Sequence, residues 1–177
     1  LTIWLDRRVV PGQLLTFRPN NANLETALKH IASLAGAEMQ LVENVVYIGP
    51  KGQGERVAAA AAILHDSLSS SGTNAVKTVQ PKWADLCTPN EFLVSLLRGT
   101  PLTLRGEVPH DRWRASQFRR SSSLATCIAL ICGGFDLQCK QGKRGGVWLV
   151  PTLPTGSWTG SYALDSLSSA DISRIKQ

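Results

Sequence analysis

The chain has 177 residues, 43% apolar and 18% charged, which excludes a disordered polypeptide and suffices for a buried core as one domain or two small ones. No apolar run approaches the ~20 residues needed to cross a bilayer, which excludes a helical span in this sequence. The net charge of +6 and pI near 9.5 favour anionic partners over cationic ones.

The sequence opens on strand-like LTIWL without an initiator Met and is read as an excised piece of a longer protein, so the lack of a targeting segment is uninformative. Leu1–Leu5 is expected as a strand, followed by a polar turn through Asp6, Arg7 and Arg8 to Pro11 and Gly12. Leu14–Arg18 reads as a second strand, broken by PNNAN. Asn23 is placed to cap a helix over Leu24–Ala35, with Ala27, Leu28, Ile31, Leu34 and Ala35 at helical spacing on one face. Gly36 stops it. Glu38–Val42 and Val45–Ile48 form a hairpin turning at Glu43–Asn44.

After PKGQG, the stretch ERVAAAAAILHDSL predicts a helix with Val57, Ala61, Leu64 and Leu68 on its buried face. SSSGTN reads as a loop or linker and the best boundary inside the chain, and Val76–Val79 as a strand. In TPNEFLVSLLRG, Thr88 is an N-cap, Pro89 the first helical residue and Glu91 the partner that completes a capping box. Phe92, Leu93, Leu96 and Leu97 form the apolar stripe, and Gly99 ends it. Leu102–Arg105 is strand-like. Arg114–Phe118 is expected as the strand that opens a second unit, followed by a helix over Leu124–Cys132 and a hairpin of Phe135–Cys139 with Val147–Val150. The segment from Thr152 reads as an irregular tail.

The second unit is announced by a repeat. Leu24, Leu28 and Ile31 match Leu124, Ile128 and Ile131 at an offset of 100 residues, and both passages run through a glycine (Gly36, Gly134) into an apolar hairpin ending in Pro. Cys127 and Cys132 stand where the first copy has Ala27 and Ala32. Cys139, after a two-residue shortening of the second helix, is aligned with Leu41. Thiols at such positions behave as small hydrophobes, so buried free cysteines are expected. A Cys127–Cys132 bridge is disfavoured because five helical residues turn the side chains about 140° apart. A bridge to Cys139 stays open. The four cysteines contain no CxxC and have no nearby His, so no metal site is expected.

The strand–helix–strand–strand pattern resembles the short N-terminal (STN) domain shared by secretins and TonB-dependent receptors. Leu24, Ala27, Leu28, Ile31, Ala35, Gly36, Val46, Tyr47 and Ile48 carry the likeness. Leu124, Cys127, Ile128, Ile131, Gly134, Phe135 and Leu137 repeat it more loosely. The chain is also similar to a group of uncharacterised planctomycete proteins through LTIWLDRRVVPGQ and VPHDRW. The helices around Ala58–Leu68 and after Thr88 would be additions to a minimal STN unit. The resemblance implies a non-catalytic, periplasmic or envelope-associated module that contacts other proteins or assembles with itself.

Chemistry is sparse. His30 and His65 lie on predicted helices without useful partners, and His110 sits in PHDRWR, best read as a turn stabilised by Asp111 and anchored by Trp113. Pairing Cys87 or a Ser with His110 would be the only nucleophile–base arrangement. GxSxG, HExxH and P-loop patterns are missing, so no enzyme, cofactor or small-molecule ligand is expected. From Arg98 to Arg120 lie six arginines against Glu107 and Asp111. Arg105, Arg112, Trp113, Arg114, Arg119 and Arg120, with Trp158 in the tail, form the candidate interaction surface. Trp113 and Phe118, five apart, would occupy opposite faces of a strand.

These readings combine into an α+β fold of duplicated units. Residues 1–50 are the first unit, 51–75 a helix and linker, 76–151 the second unit with the inserted capped helix, and 152–177 the tail. The expected role is a protein-interaction or self-assembly module. The alternative is nucleic-acid binding through Arg98–Arg120.

Overall fold

The computed structural model describes residues 1–10, 12–18, 22–70, 78–100, 102–106, 108–141 and 146–151. The order of elements is β1 (Thr2–Leu5), α1 (Leu24–Leu34), β2 (Glu38–Val42), β3 (Val45–Gly49), α2 (Gln53–Ser70), β4 (Thr78–Val79), β5 (Lys82–Trp83), α3 (Pro89–Leu97), β6 (Thr103–Arg105), β7 (Ser116–Gln117), β8 (Ser122–Ser123), α4 (Leu124–Gly134), β9 (Leu137–Gln141) and β10 (Gly146–Pro151). The fold is α+β, as the sequence predicts. The tail with Trp158, and most of the SSSGTN linker, lie outside the described residues.

Two three-stranded sheets share one topology. In β1-β3-β2 and in β6-β10-β9 the middle strand pairs parallel to the first and antiparallel to the hairpin partner. Trp4 pairs with Tyr47, and Arg105 with Trp148, so both strand pairs repeat at an offset of 101. The helices and the strands that follow them keep an offset of 100, so the second copy has one residue fewer between its first strand and its helix and one more between its hairpin strands. Each helix is capped alike: Asn23 accepts from the Thr26 N–H, and Ser123 from the Thr126 N–H.

The duplication is therefore present, but several of its predicted boundaries move. The second unit opens with β6; Arg114–Phe118 contributes only the two residues of β7, which pair with β5. Leu14–Arg18 forms no strand: it pairs with neither edge of the first sheet, and Leu14 is 98% exposed. Phe17 instead packs edge-on against His30 of α1. The two repeated helices are both 11 residues long, so there is no shortening. The left-handed corner after α1 is Gly36 (φ 67°), and after α4 it is Asp136 (φ 53°), with Gly134 still helical. Hairpin register matches Cys139 with Met39 rather than Leu41, since Cys139 pairs with Leu149 as Met39 pairs with Ile48. The covered face of α1 is largely the expected one, with Ala27, Leu28, Ile31 and Ala35 half-buried and Leu28 packed against the core beneath, but it centres on Ala32, the one fully buried residue, and leaves Leu34 40% exposed.

One large core joins the units. Val42, Val45 and Tyr47 of the first sheet share it with Val57, Leu64 and Leu68 of α2, the apolar stripe of α3, and the apolar residues of α4 from Leu124 to Cys132. Burying each such Leu, Ile or Phe contributes roughly 1.5–3 kcal/mol. β3 is buried at every position because a second, smaller cluster under α1 (Ala32, Val46 and Ile48) covers its other face, which explains the unbroken apolar run from Val45. α2 lies close enough to α4 that a β-carbon on Gly133 would collide with Val57 Cγ2. The glycine is what permits that approach.

Candidate functional site

β1 is the edge strand of its sheet, and beside it runs a groove of about 650 Å³. One wall is β1 itself from Leu1 to Leu5. The other is formed by Trp113, Arg114 and residues 116–119. At one end the Arg119 N–H donates to Thr2 Oγ1 at 3.2 Å, which fixes the two walls relative to each other.

Three indoles from distant segments make the base. Trp4 meets Trp113 edge-on at 5.6 Å and Trp83 at 6.2 Å, and Trp83 meets Trp113 at 5.8 Å. Phe118 and Phe92 complete the cluster from beneath. Such tilted and edge-to-face pairs each add about 0.5–1.5 kcal/mol beyond their burial. Both Trp113 and Phe118 pack on Trp4, which corrects the expectation of opposite faces: the chain between them is strand only at Ser116–Gln117, so strict alternation does not apply.

Trp113 is fastened from several sides. Its N–H donates to the Cys87 carbonyl at 3.0 Å, and its indole N–H to Asp111 Oδ2 at 3.2 Å. The Trp83 indole N–H donates to the Arg114 carbonyl at 2.8 Å. The Trp83 and Trp113 indole N–H groups are thus spent on holding the groove together, and the half-buried ring surface is what the groove offers.

The predicted arginines separate in the fold. Arg112, Arg114 and Arg119 line the groove and are joined by Arg7, which the sequence placed only in a turn. Arg7 lies 4.6 Å over the Phe135 ring and 3.5 Å from Asp111. Arg112 donates to the Leu86 carbonyl at 3.1 Å. Arg114 and Arg119 make no ion pair among the described residues. Arg105 lies on β6, and Arg105, Arg98 and Arg120 do not line this groove. The predicted turn at His110–Trp113 is instead an irregular connection that ends in a bridge from Trp113 to Cys87, although Asp111 does accept from both the Arg112 N–H and the Trp113 indole.

A second polar assembly was not legible in the sequence. Asp6 is buried, and its carboxylate accepts from Arg8 Nε (2.8 Å), Nη2 (2.9 Å) and backbone N–H (2.9 Å), and from the buried Tyr47 hydroxyl. Burial pushes the Asp6 carboxyl up, but the Arg8 and Tyr47 hydrogen bonds outweigh it and hold it below its ordinary value. Burial, with the Asp6 contact, raises the Tyr47 hydroxyl. Arg8 also reaches the Gly133 carbonyl (2.8 Å) and Asp136 (2.7 Å), and Gln53 donates to the same carbonyl at 2.9 Å. The Asp6 carboxylate, the Tyr47 hydroxyl and the Arg8 guanidinium are all engaged by protein partners, so the cluster ties the first unit to the end of α4.

The four thiols are free. Burial, and then Glu43, pushes Cys127 up to about 12. Cys132 is raised by its contact with Cys139 and by burial. Burial and the neighbouring Glu91 raise the Cys87 thiol, which donates to the Thr88 carbonyl at 3.4 Å. His110 lines a different groove, with Thr88, Glu91 and Val108. Among the described residues, no group of three or more His, Cys, Asp or Glu is arranged to hold a metal ion, and no helix is long and apolar enough to cross a membrane. No known protein family, curated protein or solved structure matches the chain.

Proposed function

We propose that the chain is a non-catalytic interaction or assembly module of a bacterial envelope-associated protein, the role that its STN-like pattern implies. One observation carries the reading: the open edge of β1 fronts an aromatic, arginine-rimmed groove built from residues 1–7 and 111–119. Sheet edges pair readily with a strand from another chain. The described polar clusters are occupied with holding the molecule together. Duplicated units sharing one core make a rigid platform for such a surface.

Two measurements test it. Sedimentation velocity across a wide concentration range, at low and moderate salt, reads self-association. Co-purification under the same conditions reads a protein partner. A Trp113→Ala or Arg114→Glu change is expected to reduce whichever association is found. An association untouched by both substitutions rejects the groove as the contact surface. Fractionation of the source cells tests the envelope assignment, and recovery solely with cytosol rejects it.

The nucleic-acid reading draws on Arg112, Arg114 and Arg119 standing near Trp113. It predicts affinity for single strands that falls with salt at about −0.7 log units per phosphate contact. Ring packing argues against it, because the indoles meet each other edge-on (82°) or tilted (59° and 60°) rather than presenting parallel stacking faces.

A further inference from the structure

The Asp6 N–H donates to the Ile48 carbonyl at 2.8 Å, which fixes the phase of β1. In a parallel pair, alternate residues turn their backbone groups to opposite sides. Thr2, Trp4 and Asp6 therefore face β3, and Ile3 and Leu5 turn their N–H and C=O outward. No described residue bonds to those outward groups, although β1 lies along the groove for its whole length.

The two faces of this edge differ. On the side where α1 covers Val46 and Ile48, the helix stops short of β1, leaving Ile3 at 48% and Leu5 at 53% exposure. On the other side Trp4 turns into the aromatic cluster, with Arg114 and Arg119 beyond it. A strand laid against β1 would set one alternate series of side chains beside the apolar strip and the other before the arginines. The groove lining holds Arg7, Arg112, Arg114 and Arg119 against Asp111 alone. A second copy of this chain would bring two such arginine sets together, so charge favours an acidic occupant.

We propose that β1 accepts an extended segment of a partner protein in which apolar residues alternate with Asp or Glu. The proposal rests on the interaction-module reading and names the partner's chemistry. It is tested with the full chain and the labelled, capped peptide Val-Glu-Val-Glu-Val-Glu-Val-Glu-Val, followed by fluorescence anisotropy. Its Val-Lys counterpart is expected to bind at least about tenfold more weakly, and so is the Val-Glu peptide to an Arg114→Glu/Arg119→Glu chain. Two further peptides carry N-methyl groups on either the Val or the Glu residues. Methylation of one series is expected to abolish binding and of the other to spare it, since only one series turns its N–H to β1. Ile3→Pro, which removes an outward N–H and leaves the β3 ladder its donors, is expected to abolish binding while the circular dichroism spectrum is unchanged.

No binding of the Val-Glu peptide at about 1 mM overturns the proposal. So does displacement of that peptide by oligothymidylate at lower concentration, which would favour nucleic acid. Binding that survives both methylated series, yet is lost with Trp113→Ala, overturns strand pairing while leaving the interaction-surface reading intact.

Discussion

α1 and α4 begin at residues 24 and 124, run for eleven residues each, and connect sheets of the same strand order. α1 buries a single residue, Ala32, whereas every residue of α4 is buried. The sequences follow this division. α1 has a polar face and its own Glu25–Lys29 ion pair at 2.7 Å. α4, LATCIALICGG, has no charged residue. Its ends are served by the first unit instead. Glu43, from the first hairpin turn, accepts from the Ser123 N–H and hydroxyl at 3.0 Å each, beside the α4 N-terminus. Arg8 meets the Gly133 carbonyl at the C-terminus. An acid at one end and a cation at the other suit the helix dipole. The duplication has thus yielded a central helix that depends on its sister unit and a peripheral one that does not.

That contrast is most easily broken at Ile131 and its counterpart Ile31. Ile131 is 1% exposed, so Ile131→Ala is expected to destabilise by about 2–5 kcal/mol through lost burial and a residual cavity. Ile31→Ala, on the half-covered helix, is expected to cost about 1 kcal/mol. Urea unfolding of the pair checks it. Equal losses would mean that α1 is as deeply supported as α4.

The next effect is at Asp6. Removing a buried acid from its guanidinium leaves a charge without its partner, and Asp6→Asn is expected to cost about 2–3 kcal/mol at neutral pH, discounted because Arg8 is 27% exposed. The folded-state carboxyl lies below its ordinary 3.8. The Asp6 contribution is therefore fully present above that value and is lost as pH falls through the lower folded-state value. Urea midpoints of the native chain should fall in that acid window, and Asp6→Asn should remove this part of the slope. An unchanged slope would show that Asp6 is not the group responsible.

How much of this was legible depends on the distance between cause and effect. The caps at Asn23, Thr88 and Ser123 act within three residues, and a local pattern discloses them. The buried faces of α2 and α3 follow from helical spacing alone. β6 escaped assignment as the start of the second unit because three residues carry no period. Its signal was the likeness of Leu1-Thr2-Ile3 to Leu102-Thr103-Leu104, at an offset of 101 rather than 100. β5, β7 and β8 are two-residue ladders imposed by tertiary approach. Nothing near Asp6 in sequence announces Tyr47, 41 residues away. The groove was half legible: the sequence supplied Arg112, Trp113, Arg114 and Arg119, and only folding added Trp4, Trp83 and Arg7 while setting Arg105 and Arg120 elsewhere.

A smaller effect sharpens the borrowed capping. Glu43→Gln keeps most of the turn's hydrogen-bonding shape but removes the charge beside α4, and a loss of about 1 kcal/mol is expected. Glu25→Gln, on the exposed first turn of α1, should leave the urea midpoint unchanged within error. A larger loss at Glu25 than at Glu43 would reverse the assignment of which helix relies on the other unit.

The smallest non-zero cost is expected for Gly36→Asp, at the corner that each copy makes after its helix. Gly36 and Asp136 both adopt left-handed backbone, with φ 67° and 53°. A β-carbon on Gly36 would meet nothing within 4 Å, so any cost there comes from backbone preference rather than collision. Asp is among the few non-glycine residues that tolerate this region, and the second copy already uses it. Gly36→Asp is therefore expected to cost about 0.5 kcal/mol, while the β-branched Gly36→Val should cost about 1–2 kcal/mol in the same open space. Urea unfolding of the two variants separates conformational strain from packing. Equal costs for Asp and Val would show that side-chain type is irrelevant at the corner, and that the Gly36–Asp136 equivalence says nothing about a shared ancestral turn.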